Sequence, residues 1–221
     1  MNKIDTLLFD FDGTLADTFP IIFHAFQGVF KEFKNQHITG KEIVSMFGPA
    51  ENEIIRRHFA ECDDTTRIIE RYYELYDGHH NALVPCSPAI IQMLLDFKAC
   101  GYKLGIVTGK GRRSLDISLN HLYPKTIFDV TIAGDEVTIP KPHPQGLLKA
   151  LERLDSTVDR TVYIGDSEFD VKAGKAAGMK TIGVKWFGES EIEWGDESPH
   201  MTIINPNDLK NLAIKRLFQG F

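Results

Sequence analysis

Leu7-Leu8-Phe9-Asp10-Phe11-Asp12-Gly13-Thr14-Leu15 is the stretch from which the architecture can be read. A short apolar run ends in a carboxylate, and Gly13 then lets the backbone turn sharply. Similar wording returns late in the chain, where Val162, Tyr163 and Ile164 lead into Gly165-Asp166-Ser167-Glu168-Phe169-Asp170. Apolar runs this short, bounded by Gly or Asp, read as strands buried on both faces of a parallel sheet. Two such strands in one sheet bring their carboxylates out at its carboxyl edge, where open α/β sheets bind ligands. Carboxylates gathered there ask for a cation and for a phosphate-like substrate.

Downstream of the first motif the apolar period changes from strand to helix. Ile22, Phe23, Phe26, Phe30 and Phe33 recur at three- and four-residue spacing through residues 18–34, the pattern of an amphipathic helix. Thr39 and Glu42 form a capping box for a short helix that ends at Phe47-Gly48-Pro49. A third helix is predicted over 50–60. A fourth starts after Asp63 and Asp64 and turns Ile68, Ile69, Tyr72, Leu75 and Tyr76 inward. From Pro85 onward helix and strand alternate. Ser87-Pro88 opens a helix that Gly101 ends, and strands are expected at 103–107, 129–133, 161–165, 181–185 and 201–204. Helices near 112–121, 143–154 and 168–177 separate them. The fold class is therefore α/β, a doubly wound parallel sheet formed by residues 1–15 and 84–221, with an all-helical insert at 16–83.

Composition narrows the function. A chain of 221 residues buries a full core, and its net charge of -6 argues against nucleic acid as a partner. Cys62, Cys86 and Cys100 are odd in number, far apart and free of any Cys-x-x-Cys pair, so neither a disulfide framework nor a zinc site is indicated and a cytoplasmic setting is expected. No apolar stretch approaches the roughly 20 residues of a membrane span. Asp5 and Asp10 interrupt any secretory signal at the start, so the expectation is a soluble, unprocessed chain with no membrane partner.

Each candidate residue has a chemical use that fits its position. Asp10, at the end of the first strand, can attack phosphorus and bind a cation, and Asp12 can give and take the leaving group's proton. Backbone N–H groups around Gly13 are suited to line a phosphate pocket. Thr108, with Gly109 and Lys110 behind it, offers a hydroxyl and free backbone donors to an anion. Lys141 is held between Pro140 and Pro142, and its ammonium can neutralise charge on the nucleophile and its adduct. Asp166 and Asp170 share one face if a helix follows the strand. Each piece also has an ordinary use, as a turn, a strand end, an exposed lysine or a helix cap.

Laid out in this order, the segments resemble the haloacid dehalogenase-like hydrolase superfamily, in its phosphoglycolate-phosphatase-like branch with a helical cap after the first strand. The resemblance spans nearly the whole chain and rests on Asp10 to Asp17, Thr108, Lys141 in Lys-Pro-His-Pro, and Gly165-Asp166-Ser167-x-x-Asp170. It implies an aspartyl-phosphate on Asp10, acid and base catalysis by Asp12, and phosphoryl oxygens held by Thr108 and Lys141. It also implies Mg2+ bound by Asp10, the Asp12 carbonyl and Asp166, with Asp170 acting directly or through water. Gly48 belongs to the cap loop that faces the core in such proteins, and Lys110, Arg56 and Arg57 are the cations available to a second anionic group. Gly109 departs from the pattern, since many relatives carry Asn there. The implied activity is hydrolysis of a small-molecule phosphate ester by a monomer or homodimer, with phosphoglycolate first and pyrophosphate, nucleotides and sugar phosphates as alternatives. Asp12 disfavours a dehalogenase. A sugar phosphomutase and a non-catalytic phosphate-binding regulator remain as further alternatives. The histidines, His24, His79, His80 and His143 among them, show no metal-ligand spacing.

Overall fold

The computed structural model describes residues 3–187, 194 and 197–214. Six parallel strands build one sheet: β1 (Thr6–Phe9), β2 (Lys103–Val107), β3 (Val130–Ile132), β4 (Thr161–Gly165), β5 (Lys180–Val184) and β6 (Met201–Ile203), in the spatial order β3-β2-β1-β4-β5-β6. β1 lies between β2 and β4, with Phe9 level with Ile106 on one side and Ile164 on the other. The chain winds outward from β1 through β2 to β3, then returns to the far side of β1 and winds the opposite way. That reversal opens a crevice at the carboxyl ends of β1 and β4.

Strand alternation explains the layers. Leu7 and Phe9 point to one face and Leu8 to the other, and neighbouring strands repeat the split. The first face is covered by α5 (Pro88–Ala99), α6 (Arg112–Leu122) and α9 (Pro206–Ile214), through Met93, Leu94, Phe97, Leu115, Leu122 and Leu209. The second receives α7 (Gln145–Leu154) and α8 (Glu168–Ala176), through Leu147, Leu151, Leu154 and Ala173. The expected doubly wound sheet is thus present. α9 was not anticipated; its Lys210 pairs with Asp96 of α5 at 3.0 Å. The expected strand 201–204 stops at Ile203, and the helix expected from 143 starts at Gln145, behind Pro144.

Between β1 and α5 lie four helices, α1 (Phe19–Lys34), α2 (Gly40–Ser45), α3 (Glu51–His58) and α4 (Thr65–Leu83). Local sequence accounts for their ends. Thr39 and Glu42 complete the capping box, with the Thr39 N–H donating to Glu42 Oε2 at 2.6 Å and the Glu42 N–H to Thr39 Oγ1 at 3.3 Å. Asp64 caps α4 by accepting the Arg67 N–H, and Ser87 caps α5 through Ile90. Phe26, Phe30, Tyr72 and Tyr76 bury the facing sides of α1 and α4, and this apolar cluster runs unbroken into the first face of the sheet. Among the described residues no single helix is long and apolar enough to cross a membrane.

Candidate active site

Strand order brings the scattered motifs together. Asp10 follows β1, Thr108 follows β2, Lys141 lies in the loop after β3, and Asp166 follows β4, all on the same edge. The Asp10 N–H donates to Ile164 O at 2.8 Å and the Thr108 N–H to Ile132 O at 3.1 Å, so both residues are fixed by extensions of the sheet ladder. Lys141 Nζ lies 3.0 Å from Asp10 Oδ1 and 2.5 Å from Asp170 Oδ1. Asp170 is buried and fully engaged: the Tyr163 hydroxyl reaches its Oδ1, and its Oδ2 accepts the Ser167 N–H and hydroxyl. Here the capping of α8 and the support of Lys141 use the same carboxylate.

Burial raises the Asp10 carboxyl from its ordinary 3.8 to about 7; the Asp170 charge adds to this, against Lys141 and a hydrogen bond from Thr108. Burial followed by Asp170 and Asp10 drives Asp166 well above the usual carboxylate range. Burial disfavours the Lys141 ammonium, but Asp10 and Asp170 outweigh it and hold the lysine above its ordinary value.

These features fit a divalent cation. One oxygen from each of Asp10, Asp166 and Asp170 lies within 4.8 Å of the others, and among the described residues Lys141 is the cation paired with them, through Asp10 and Asp170. Asp10 Oδ1 is buried, with the Lys141 ammonium 3.0 Å away. Gly13 has φ +77°, and a Cβ on it would stand 2.3 Å from Asp166 Oδ2, so glycine makes room for that carboxylate. A hard, all-oxygen donor set suits Mg2+.

The acid/base candidate Asp12 faces a second cluster. Its Oδ1 accepts the Thr18 hydroxyl and lies 3.0 Å from Lys110 Nζ. Lys110 has no exposed side-chain surface; its ammonium also lies 3.7 Å from Glu51 Oε1 and 4.8 Å from the centroid of the Tyr76 ring. Lys110, a candidate for contact with an anionic group of the substrate, lies between these two carboxylates. Gly109 borders open space on its Cβ side, where an Asn would fit. Gly48 is exposed, with φ +137° and no atom within 4 Å of an added Cβ; Glu51, three residues on, makes the contact to the core. Arg56 and Arg57 are exposed, as expected for solvated charges, and Arg57 pairs with Glu53 on its own helix.

A family model described as haloacid dehalogenase-like hydrolase matches residues 7–184. The chain belongs to the haloacid dehalogenase-like hydrolase family. This hydrolase is 32% identical over 184 residues to pyrophosphatase PpaX of Bacillus mycoides, a match covering 83% of this chain and 85% of the relative. Among solved structures it is similar to a Bacteroides fragilis chain described as a haloacid dehalogenase-like hydrolase, at 30% identity and TM-score 0.77, covering 94% of this chain and 100% of that one. It is also similar to CbbY of Rhodobacter sphaeroides in complex with phosphate, at 25% identity and TM-score 0.79, covering 93% and 96%.

Three contributors to the hydrolase's site escaped the sequence reading. Glu51 is one; a carboxylate at the start of a helix gives no hint of a partner 60 residues away. Trp186 is another, its indole N–H donating to Thr14 O at 2.7 Å and so holding the turn that carries Gly13. Tyr163 sits in an apolar strand run, yet its hydroxyl bonds Val107 O at 2.8 Å as well as Asp170. Its place as the one polar-tipped residue in that run was the available signal.

Proposed function

We propose that this enzyme is a magnesium-dependent phosphatase that hydrolyses a small phosphorylated metabolite through an aspartyl-phosphate on Asp10. The carrying observation is Asp10 itself, a buried carboxylate whose Oδ1 meets the Lys141 ammonium at 3.0 Å, beside Thr108 on the edge where open α/β sheets bind ligands. An Asp10 oxygen attacks phosphorus, the bond from phosphorus to the leaving oxygen breaks, and Asp12 supplies that oxygen with a proton. Water then attacks the phosphorus of the adduct, giving its proton to Asp12, and the bond to Asp10 breaks to release phosphate. Thr108 and Lys141 hold the transferred group's oxygens and its charge. Asp10, Asp166 and the Asp12 carbonyl would hold the magnesium ion, with Asp170 behind them fixing Lys141. Once bound, the ion supplies positive charge that offsets repulsion between the carboxylate and the anionic substrate.

The helical segment 16–83 acts in this reading as a cap over the site. Pyrophosphate heads the substrates to test. The PpaX relative carries that name, and Lys110 is engaged by Asp12 and Glu51 while Lys141 serves the transferred group, which leaves neither spare for the carboxylate of phosphoglycolate. Pyrophosphate brings magnesium on its own oxygens. The test is phosphate release from pyrophosphate, phosphoglycolate, nucleotides and sugar phosphates, with magnesium or EDTA, beside Asp10→Asn. Metal-dependent release that the variant abolishes supports the reading; release that survives in folded Asp10→Asn refutes the covalent step.

A further inference from the structure

Glu51 is a cap residue that is buried almost entirely in the core. It stands at the first position of α3, yet its carboxylate leaves its own helix and enters the start of α6: Oε2 accepts the Gly111 N–H at 2.8 Å and Oε1 accepts the Ser114 hydroxyl at 2.5 Å. Gly111 is the N-cap position of α6, and no side chain of that helix caps it. The inserted helical segment therefore supplies an anion of the kind a helix start favours, beside Asp135, which accepts the Arg112 N–H at 2.9 Å. Space has been kept for it, since a Cβ on Gly111 would stand 2.5 Å from Glu51 Oε2.

The same carboxylate reaches the reaction centre through one intermediary. Lys110 is an ammonium without exposed surface, and such a charge persists only where partners replace water. Its core partner is Asp12; its other two, Glu51 and the Tyr76 ring, belong to the helical segment. With that segment lifted, Lys110 would face water and the direction of its charge toward Asp12 would no longer be fixed. Thr18, which bonds the same Asp12 oxygen, sits at the N-cap of α1 where the chain enters the helices. Asp12 is thus held from two places that both depend on the docked cap.

We propose that Glu51 is a positioning residue: docked on Gly111 and Ser114, it fixes Lys110 against Asp12, so that the proton donor is oriented only when the cap is down. This rests on the phosphatase reading above and adds a cap residue to it. Closure that completes a catalytic constellation is a general device for excluding water until substrate is bound. Glu51 touches neither the transferred group nor the metal carboxylates; its effect runs through Asp12, which protonates the leaving oxygen in the first step and takes the proton of water in the second.

The test compares two substrates on the full chain: an alkyl phosphate, whose leaving oxygen needs a proton, and p-nitrophenyl phosphate, whose leaving group does not. General acid catalysis is worth about 10²–10⁴-fold, so in single turnovers Glu51→Ala should slow alcohol release from the alkyl phosphate by about 10–100-fold, with KM changing less than about threefold, and should cost the burst of p-nitrophenol, which precedes the water step that also uses Asp12, far less. In a Lys110→Met background the same substitution should add nothing, because its route is already cut. Amide exchange at Gly111 should quicken in Glu51→Ala, and this readout does not depend on turnover. Equal losses in the first-step rates of both substrates, a rise in KM alone, additivity with Lys110→Met, or unchanged exchange at Gly111 would each overturn the proposal. A parent chain that releases no phosphate from any compound refutes the phosphatase reading instead, and the exchange result then stands alone as a report on docking. Melting temperatures of the variants separate these effects from unfolding.

Discussion

Replacing Gly13 by alanine places a methyl group where the carboxylate of Asp166 lies. The new Cβ would be 2.3 Å from Oδ2 and 2.7 Å from Cγ, whereas ordinary contact begins near 3.4 Å, so the carboxylate must retreat by about 1 Å. Two costs follow. A left-handed backbone, here φ +77°, costs a residue with a side chain about 1–2 kcal/mol. The hydrogen bond from Thr14 Oγ1 to Asp166 Oδ1, 3.0 Å long, is lost with the retreat and is worth about 0.5–1.5 kcal/mol. Together they come to about 1.5–3.5 kcal/mol, which for a chain of this size is a fall in Tm of about 3–14 °C. Metal affinity should drop by about tenfold or more as the ligand leaves its place. Scanning calorimetry of the metal-free chain reads the first effect, and titration calorimetry with magnesium alone reads the second. An alanine variant that melts within about 1 °C of the parent and binds magnesium equally well would refute the argument that glycine is there to admit the carboxylate.

The metal-free chain should lose stability as pH rises. Asp10 takes a proton at about 7 when folded against 3.8 ordinarily, so the native state binds more protons across that window. The stabilisation is complete below 3.8 and disappears as pH passes about 7, and Asp166, raised in the same direction, adds to it. Magnesium should therefore raise Tm more at pH 8 than at pH 5; a metal-free Tm that is flat across this range contradicts the charge crowding. Tyr163→Phe removes the hydroxyl that meets both Val107 O and Asp170, and urea denaturation should show a loss of about 1–3 kcal/mol. Trp186→Phe frees the Thr14 carbonyl and should cost about 1 kcal/mol with reduced turnover. An unchanged urea midpoint for either variant would show that its hydrogen bond contributes nothing in solution.

The sequence disclosed what is local and periodic. Leu7 to Phe9 and Val162 to Ile164 are legible as buried strands because both faces need apolar side chains, and each run stops at a charged residue. Thr39, Asp64 and Ser87 announce helix starts through bonds that span only three residues. Asp10, Thr108, Lys141 and Asp166 could be grouped because parallel strands must all end on one edge. Pairings between distant side chains follow no such rule. That Lys110 would be buried by Asp12 and Glu51 depends on how four helices settle on the sheet, and that distance along the chain leaves no periodic trace. α9 was missed for another reason: nine residues are a short window for a periodic signal, although Pro206 stands at its first position, Asp208 in its first turn, and Leu209, Leu212 and Ala213 at helical spacing.

The two outermost strands, β3 and β6, have three residues each, while the strands bearing Asp10 and Asp166 lie at the centre with partners on both sides. Short borders give another chain little to pair with, which guards against aggregation. They are also where the sheet frays first, because a border strand has half the ladder bonds of an inner one. The amides slowest to exchange with solvent should then be those of β1 and β4, and the loops that perform the chemistry are anchored in the last part of the protein to come apart.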